Sequence, residues 1–318
     1  MKLDVHNHVI PRSVLDLVRG DPSFGVDITD GWWRGPDHVA FELVETFYDP
    51  KARLAGLERA GLEGAIVSPV VALFMYRLRP ERAERFARTV NEGLAEFCSA
   101  APGRLFFMAT APMQDVAAAC SILAGAVALG AVGVAVATSI AGRRLDEEMF
   151  WPFWELCASH SLPVFVHPSY NDQHPALKDW YLQNVIGNPL ESAIVVERLM
   201  CSGLLDRYPS LKIVAVHGGG FLPYQLDRLR HASSVRPEFA APVDTERLLD
   251  HFVFDTVLHG PRALAFLAER VTPGRMVLGT DMPFDMAVED PLGMLASVLD
   301  APAVELIAET NPAQMFLR

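Results

Sequence analysis

The chain has 318 residues, 51% hydrophobic and 21% charged, a composition that supports a sizeable core and excludes a disordered, collagen-like or small disulfide-stapled protein. Its 27 basic against 39 acidic residues give a formal charge of -12, which speaks against nucleic acid or an anionic membrane surface as partner, since either needs a basic face. No apolar run reads as a membrane span, and the opening Met-Lys-Leu-Asp-Val-His lacks the pattern of an export signal.

Short apolar runs, each followed by a stretch of helical spacing, recur along the chain, and this alternation is what a parallel sheet with crossover helices requires. Leu3–His8 is the first predicted strand. About residues 11–51 form a long connection containing Gly20, Gly25, Gly31, Trp32, Trp33, Gly35 and Pro36. A loop of that length inside a compact domain is usually functional, so it is assigned as a lid or interface insertion. Seven further strands are predicted at Gly64–Pro69, Leu105–Ala111, Ala131–Thr138, Pro163–Pro168, Lys212–His217, Phe252–Thr256 and Met276–Asp281. Helices are predicted at Pro80–Ala101, Val116–Leu129, Glu147–His160, Pro189–Arg207, Leu222–His231 and Pro261–Glu269. The segment Ser169–Asn188 is a second candidate loop. Eight strands alternating with helices predict an α/β protein, a (β/α)8 TIM barrel formed as one domain over residues 1–318. Cys98, Cys120, Cys157 and Cys201 lie far apart without a CxxC pair, which points to a reducing, cytoplasmic setting.

The ionisable residues fall at strand ends. His6 and His8 end the first strand, His167 the fifth, His217 the sixth and Asp281 the eighth, and in a barrel these ends open onto the face that carries catalysis. Residues i and i+2 of a strand share a side, so His6 and His8 aim inward together while Asn7 points elsewhere. Three imidazoles and one carboxylate, His6, His8, His167 and Asp281, form an open site for one divalent metal, with Zn²⁺ first and Mn²⁺, Fe²⁺ or Co²⁺ allowed by ligand type. Such a metal lowers the pKa of bound water toward about 7 or polarises a substrate oxygen. A second metal would need a bridging anion such as a carboxylated lysine, and Ala131–Thr138 carries none. His217, followed by Gly218-Gly219-Gly220, is assigned as general acid/base, with ligation by His217 as the alternative. The three glycines are expected to let substrate reach backbone amides. His174 and His259 follow strands five and seven and are candidates for substrate contact. His38, His160, His231 and His251 are expected at the surface, and Trp151, Phe153 and Trp154 in packing.

The runs Asp4-Val-His-Asn-His-Val-Ile-Pro-Arg12, Val-Phe-Val-His167-Pro, Val-His217-Gly-Gly-Gly and Leu-Gly-Thr-Asp281-Met-Pro-Phe resemble the amidohydrolase superfamily. The chain is most similar to its branch of α-amino-β-carboxymuconate-ε-semialdehyde decarboxylase and related aromatic-acid decarboxylases, with motifs spread from residue 4 to residue 284. The resemblance implies a distorted barrel with an insertion after the first strand, one metal on His6, His8, His167 and Asp281, Asp281 and His217 at the reacting centre, and Asp49-Pro50 as the return from the insertion. It also implies a homodimer in which Arg228 reaches the neighbouring subunit's site to hold a substrate carboxylate, and Trp180 beside the mouth. A carboxylate-binding Arg expected before Asp49 is replaced by Phe41, with Glu42 beside it and Arg34 the nearest basic residue. The substrate is therefore expected to be a small unsaturated or aromatic carboxylic acid, with one carboxylate favoured over two, decarboxylated without oxidation with His217 in proton transfer. Hydrolysis or hydration through metal-bound hydroxide is the alternative.

Overall fold

In the computed structural model, which describes residues 1–36, 39–169 and 175–317, the strands in chain order are β1 (Leu3–Asp4), β2 (His8–Val9), β3 (Asp27–Thr29), β4 (Trp32–Arg34), β5 (Ala40–Glu42), β6 (Gly64–Pro69), β7 (Leu105–Ala109), β8 (Gly133–Ala137), β9 (Ser139–Ile140), β10 (Arg143–Arg144), β11 (Val164–His167), β12 (Ile213–Ala215), β13 (Phe252–Asp255) and β14 (Met276–Val277). The main sheet is parallel and runs β1-β6-β7-β8-β11-β12-β13-β14, with β2 prolonging β1 along β6. The first and last strands meet at a seam. There the Val5 amide donates to the Leu278 carbonyl (2.9 Å), the Asp281 amide to His6 (2.7 Å) and the His8 amide to Met282 (2.8 Å). The result is a nearly closed eight-stranded barrel, and every predicted strand lies in it.

The strands read as near-continuous apolar runs because both faces are covered: all six residues of β6 and all five of β8 are buried. Helices α1 (Arg12–Gly20), α2 (Pro50–Arg59), α3 (Pro80–Ser99), α4 (Val116–Ala128), α5 (Trp151–Ser159), α6 (Asn188–Cys201), α7 (Leu204–Arg207), α8 (Leu222–Val235), α9 (Thr245–Leu248) and α10 (Pro261–Val271) surround it. Phe86, Val90, Leu94 and Phe97 of α3 follow three- and four-residue spacing and are buried. Asp49 accepts from the Lys51 and Ala52 amides, capping α2 as its Asp-Pro start requires. The predicted helix 189–207 is broken at Gly203, whose φ of 77° is left-handed. Phe153 and Trp154 are fully buried, as packing residues should be.

Three expectations are corrected. The insertion is not a loop, since α1 and an antiparallel meander of β3, β4 and β5 occupy it, with Trp33 packed inside and Trp32 facing out. His251 is buried rather than on the surface. It precedes β13 at the bottom of the barrel, where its Nδ1 donates to the Leu211 carbonyl (3.1 Å). Six of the eight predicted strands also stop short of their predicted ends at the mouth. The Asp4 carboxylate accepts the His6 amide (3.1 Å) and the Asn7 amide side chain donates to the Asp4 carbonyl (3.0 Å), and these local bonds split the first strand in two. His217 (φ 54°) and Asp281 (φ 65°) likewise leave the extended region.

Candidate active site

Four side chains converge at the barrel mouth. One donor atom each from His6, His8, His167 and Asp281 lies within 4.8 Å of the others, and all four residues are buried. Imidazole centroids are 5.1 Å apart for His6 and His8, 5.2 Å for His6 and His167, and 5.1 Å for His8 and His167. Gly279 permits this closeness, because a Cβ there would stand 2.7 Å from that of His6.

Each ring is oriented by its other nitrogen. His6 Nδ1 meets Asp255 Oδ2 at 2.5 Å, His167 Nδ1 the Pro168 carbonyl at 2.6 Å, and His8 Nδ1 the Ser68 hydroxyl at 3.1 Å. The Ser68 hydroxyl spends its own proton on the Asn7 carbonyl (3.0 Å). All three partners are thus acceptors, so each Nδ1 carries the hydrogen and each Nε2 presents a lone pair. Those three Nε2 atoms are buried without a hydrogen-bond partner. Asp281 Oδ1 lies 3.4 Å from His6 Nε2 and 3.1 Å from His8 Nε2, within ion-pair range but not aligned as a hydrogen bond. Lone pairs and a carboxylate aimed at one point call for a cation, and the donor set fits a divalent metal.

The electrostatics agree. Burial disfavours charge on His6, yet the Asp255 and Asp281 carboxylates raise it to about 10, so a cluster left to protons alone gathers positive charge at its centre. Burial pushes His8 and His167 down, and although burial opposes it, the His6 and His8 rings beside it keep the Asp281 carboxyl well below its usual range. His217 sits beside the cluster, its ring 5.1 Å from His6 and 5.2 Å from His167, and its Nδ1 is buried without a partner. Burial and the charge on His6 lower it to about 4.

The glycines after His217 serve the protein rather than a substrate. The Gly218 amide donates to Asp255 Oδ1 (2.9 Å), Gly219 to the Val216 carbonyl (3.0 Å) and Gly220 to the His217 carbonyl (2.9 Å), so none is free for a ligand. All three have positive φ, and added Cβ atoms would strike Leu258, Phe254 and the Pro189 backbone.

The other predicted residues are not among the buried cluster. Arg228 on α8, His259 after β13 and Trp180 are exposed, Trp180 at 87%. His174 and His38 fall outside the described residues. Residues that the strand pattern did not single out support the centre from behind. Asp4 is buried, accepts from Thr280 (2.6 Å) and is raised to about 6 by burial. Arg53 is fully buried and donates to the His8 carbonyl, to Asn7 Oδ1 (3.3 Å) and to the Met282 carbonyl (3.3 Å). Asp255, the lone acid in the run Phe-Val-Phe-Asp, ends β13 as His167 ends β11, a signal of the same kind as the others. The meander reaches the centre through aromatic rings: Phe41 lies 5.3 Å from Phe284, and Phe284 5.3 Å from His8.

A family model described as amidohydrolase matches residues 3–318. The chain belongs to that family. It is 26% identical to the 2-amino-3-carboxymuconate-6-semialdehyde decarboxylase of Dictyostelium discoideum, over 94% of this chain and 86% of the relative, and 29% identical to the 6-methylsalicylic acid decarboxylase of Penicillium expansum, over 98% and 92%. Among solved structures, the manganese-bound 5-carboxyvanillate decarboxylase of Novosphingobium aromaticivorans superimposes with a TM-score of 0.83 at 22% identity, covering 100% of this chain and 97% of that one.

Proposed function

We propose that this amidohydrolase removes CO2, without oxidation, from a small aromatic or unsaturated acid carrying one carboxylate. The observation that carries the reading is the buried His6, His8, His167 and Asp281 cluster with an unpartnered His217 nitrogen beside it. A divalent ion held by those four residues would supply electrophilic polarisation of a substrate oxygen and a template for its orientation. Zn²⁺ suits imidazole with carboxylate and is the first ion to load. The donor set accepts Mn²⁺ as well, and the manganese-bound neighbour makes it the second ion to load.

His217 delivers a proton to the carbon that bears the carboxylate, the bond from that carbon to the carboxylate breaks with its electron pair returning to the substrate, and CO2 leaves. An arriving carboxylate brings beside the ring the negative charge that favours imidazolium. The flank formed by Phe284 and Phe41, with Phe47 5.1 Å from Phe284, is apolar and suits a planar ring or methyl group, whereas a second carboxylate would lose hydration there without a partner. The decarboxylase names of the relatives support the reaction class. Metal-loaded protein should be incubated with hydroxybenzoates bearing a methyl or a second carboxyl group. CO2 release with the decarboxylated arene supports the reading, and water addition without CO2 overturns it.

A homodimer completes the site in this reading. Arg228 is exposed, has no ion pair among the described residues, and lies one turn beyond Tyr224, which is 77% exposed, on α8. A second copy covering Tyr224 would place Arg228 for a bidentate pair with substrate carboxylate. Co-expressed His217→Ala and Arg228→Ala chains, each inactive alone, should regain activity as hybrids. Full activity of Arg228→Ala alone would refute the shared site.

A further inference from the structure

We propose that Asp255 is a positioning residue that sets two imidazoles at once, turning His6 toward the metal position and fixing the turn that carries His217. It rests on the reading of His6 as a ligand and His217 as the proton-transfer group.

The Asp255 carboxylate is fully buried and takes two donors on each oxygen. Oδ2 accepts from His6 Nδ1 (2.5 Å) and from the His217 amide (3.0 Å), while Oδ1 accepts from the Gly218 amide (2.9 Å) and the Val257 amide (3.2 Å). Four donors fill the acceptor capacity of a carboxylate. His217 (φ 54°) and Gly218 (φ 59°) are both left-handed, and their consecutive amides donate to the two oxygens of the one carboxylate. His217 is not glycine and its backbone resists that conformation, so the hydrogen bonds from its own amide and that of Gly218 to Asp255 hold it there together with the turn bonds of Gly219 and Gly220. The same oxygen that fixes the His6 tautomer thus also fixes the residue beside the metal position.

The other two rings are held differently. His8 leans on Ser68 and His167 on the Pro168 carbonyl, and neither support touches the His217 turn. An asparagine at 255 has the shape of aspartate but cannot replace it. Whichever way its amide is turned, the NH2 group faces two N–H donors, either His6 Nδ1 and His217 or Gly218 and Val257.

The comparison to make is Asp255→Asn against Ser68→Ala in the full chain. With Zn²⁺ or Mn²⁺ as the probe and a chromophoric chelator as competitor, both variants should bind metal about 10–100-fold more weakly. At metal saturation, checked by elemental analysis, Ser68→Ala should recover its kcat, whereas Asp255→Asn should stay about 10²-fold down with KM little changed, because His217 is misplaced. Unaltered metal affinity in Asp255→Asn, or full recovery of its kcat, overturns the proposal. Ring resonances of ¹⁵N-labelled histidine supply readouts that need no substrate. His217 should shift in Asp255→Asn and not in Ser68→Ala, and in the unmodified metal-free protein His6 Nδ1 should carry a far-downfield, slowly exchanging proton. Its absence overturns the proposal even if Asp255→Asn does not fold. Should the unmodified enzyme decarboxylate no acid, the proposed function fails while metal affinity and the ring resonances still judge Asp255.

Discussion

The two ends of the barrel each bury a histidine beside β13, and they treat it in opposite ways. At the lower end, where strands begin, His251 Nδ1 donates to the Leu211 carbonyl (3.1 Å), Lys212 Nζ to the Asp250 carbonyl (2.6 Å), and Arg275 pairs with the Asp250 carboxylate (2.6 Å). At the upper end His6, His8, His167 and His217 each keep a buried nitrogen without a hydrogen-bond partner. Buried polar atoms are normally satisfied, so a cluster of unsatisfied ones marks groups held ready for something outside the chain. The lower end is satisfied within the chain, and the four imidazoles of the upper end are not.

The sharpest way to break this contrast is to remove a ring at the top. His6→Ala should lose metal and turnover together, while unmodified protein keeps about one equivalent after dialysis, as expected for one open site; near two equivalents would refute the single-metal reading. His217→Ala should keep its metal and lose about 10²–10⁴-fold in kcat, and metal-free His217→Ala protein would make that residue a ligand. Away from the mouth, Phe153→Ala on α5 empties a fully buried site and should cost about 3–5 kcal/mol of stability with metal stoichiometry unchanged; chemical denaturation read beside metal content checks both halves. Smallest of all, Asp250→Asn at the lower end breaks an exposed pair and should cost about 0–1 kcal/mol with kcat unaltered. A large loss of activity there would erase the distinction between the ends.

Much of the upper end is legible in the sequence because the barrel converts strand ends into one surface. His6, His8, His167, His217 and Asp281 need only be recognised as terminating apolar runs to be placed together. Asp255 obeys the same rule. What the rule does not reveal is Arg53, whose burial depends on β2 and the segment after β14 closing around it, two stretches that no local pattern joins. Strand ends are harder to read for a related reason, because His217 and Asp281 leave the extended region at the mouth and cut the apolar run short. His251 reads as polar and exposed until the Leu211 carbonyl is seen above it. Composition cannot reveal that the glycine-rich insertion is a three-stranded meander, since its strands are three residues long and only Trp33 of the middle one is buried.

The seam has a consequence for how the chain comes to be built. Asp4 and Thr280, 276 positions apart, share a hydrogen bond, and the cluster beside them draws donors from both ends of the chain. Contacts of such separation form late, because a long loop must close before it is rewarded. During synthesis the amino-terminal imidazoles emerge early and wait, incomplete, until the segment carrying Asp281 has followed. A nascent chain halted before residue 280 would expose His6 and His8 to whatever ions are at hand without the carboxylate that finishes the set. The group of four donors is therefore complete only once Asp281 has been made and the seam has closed.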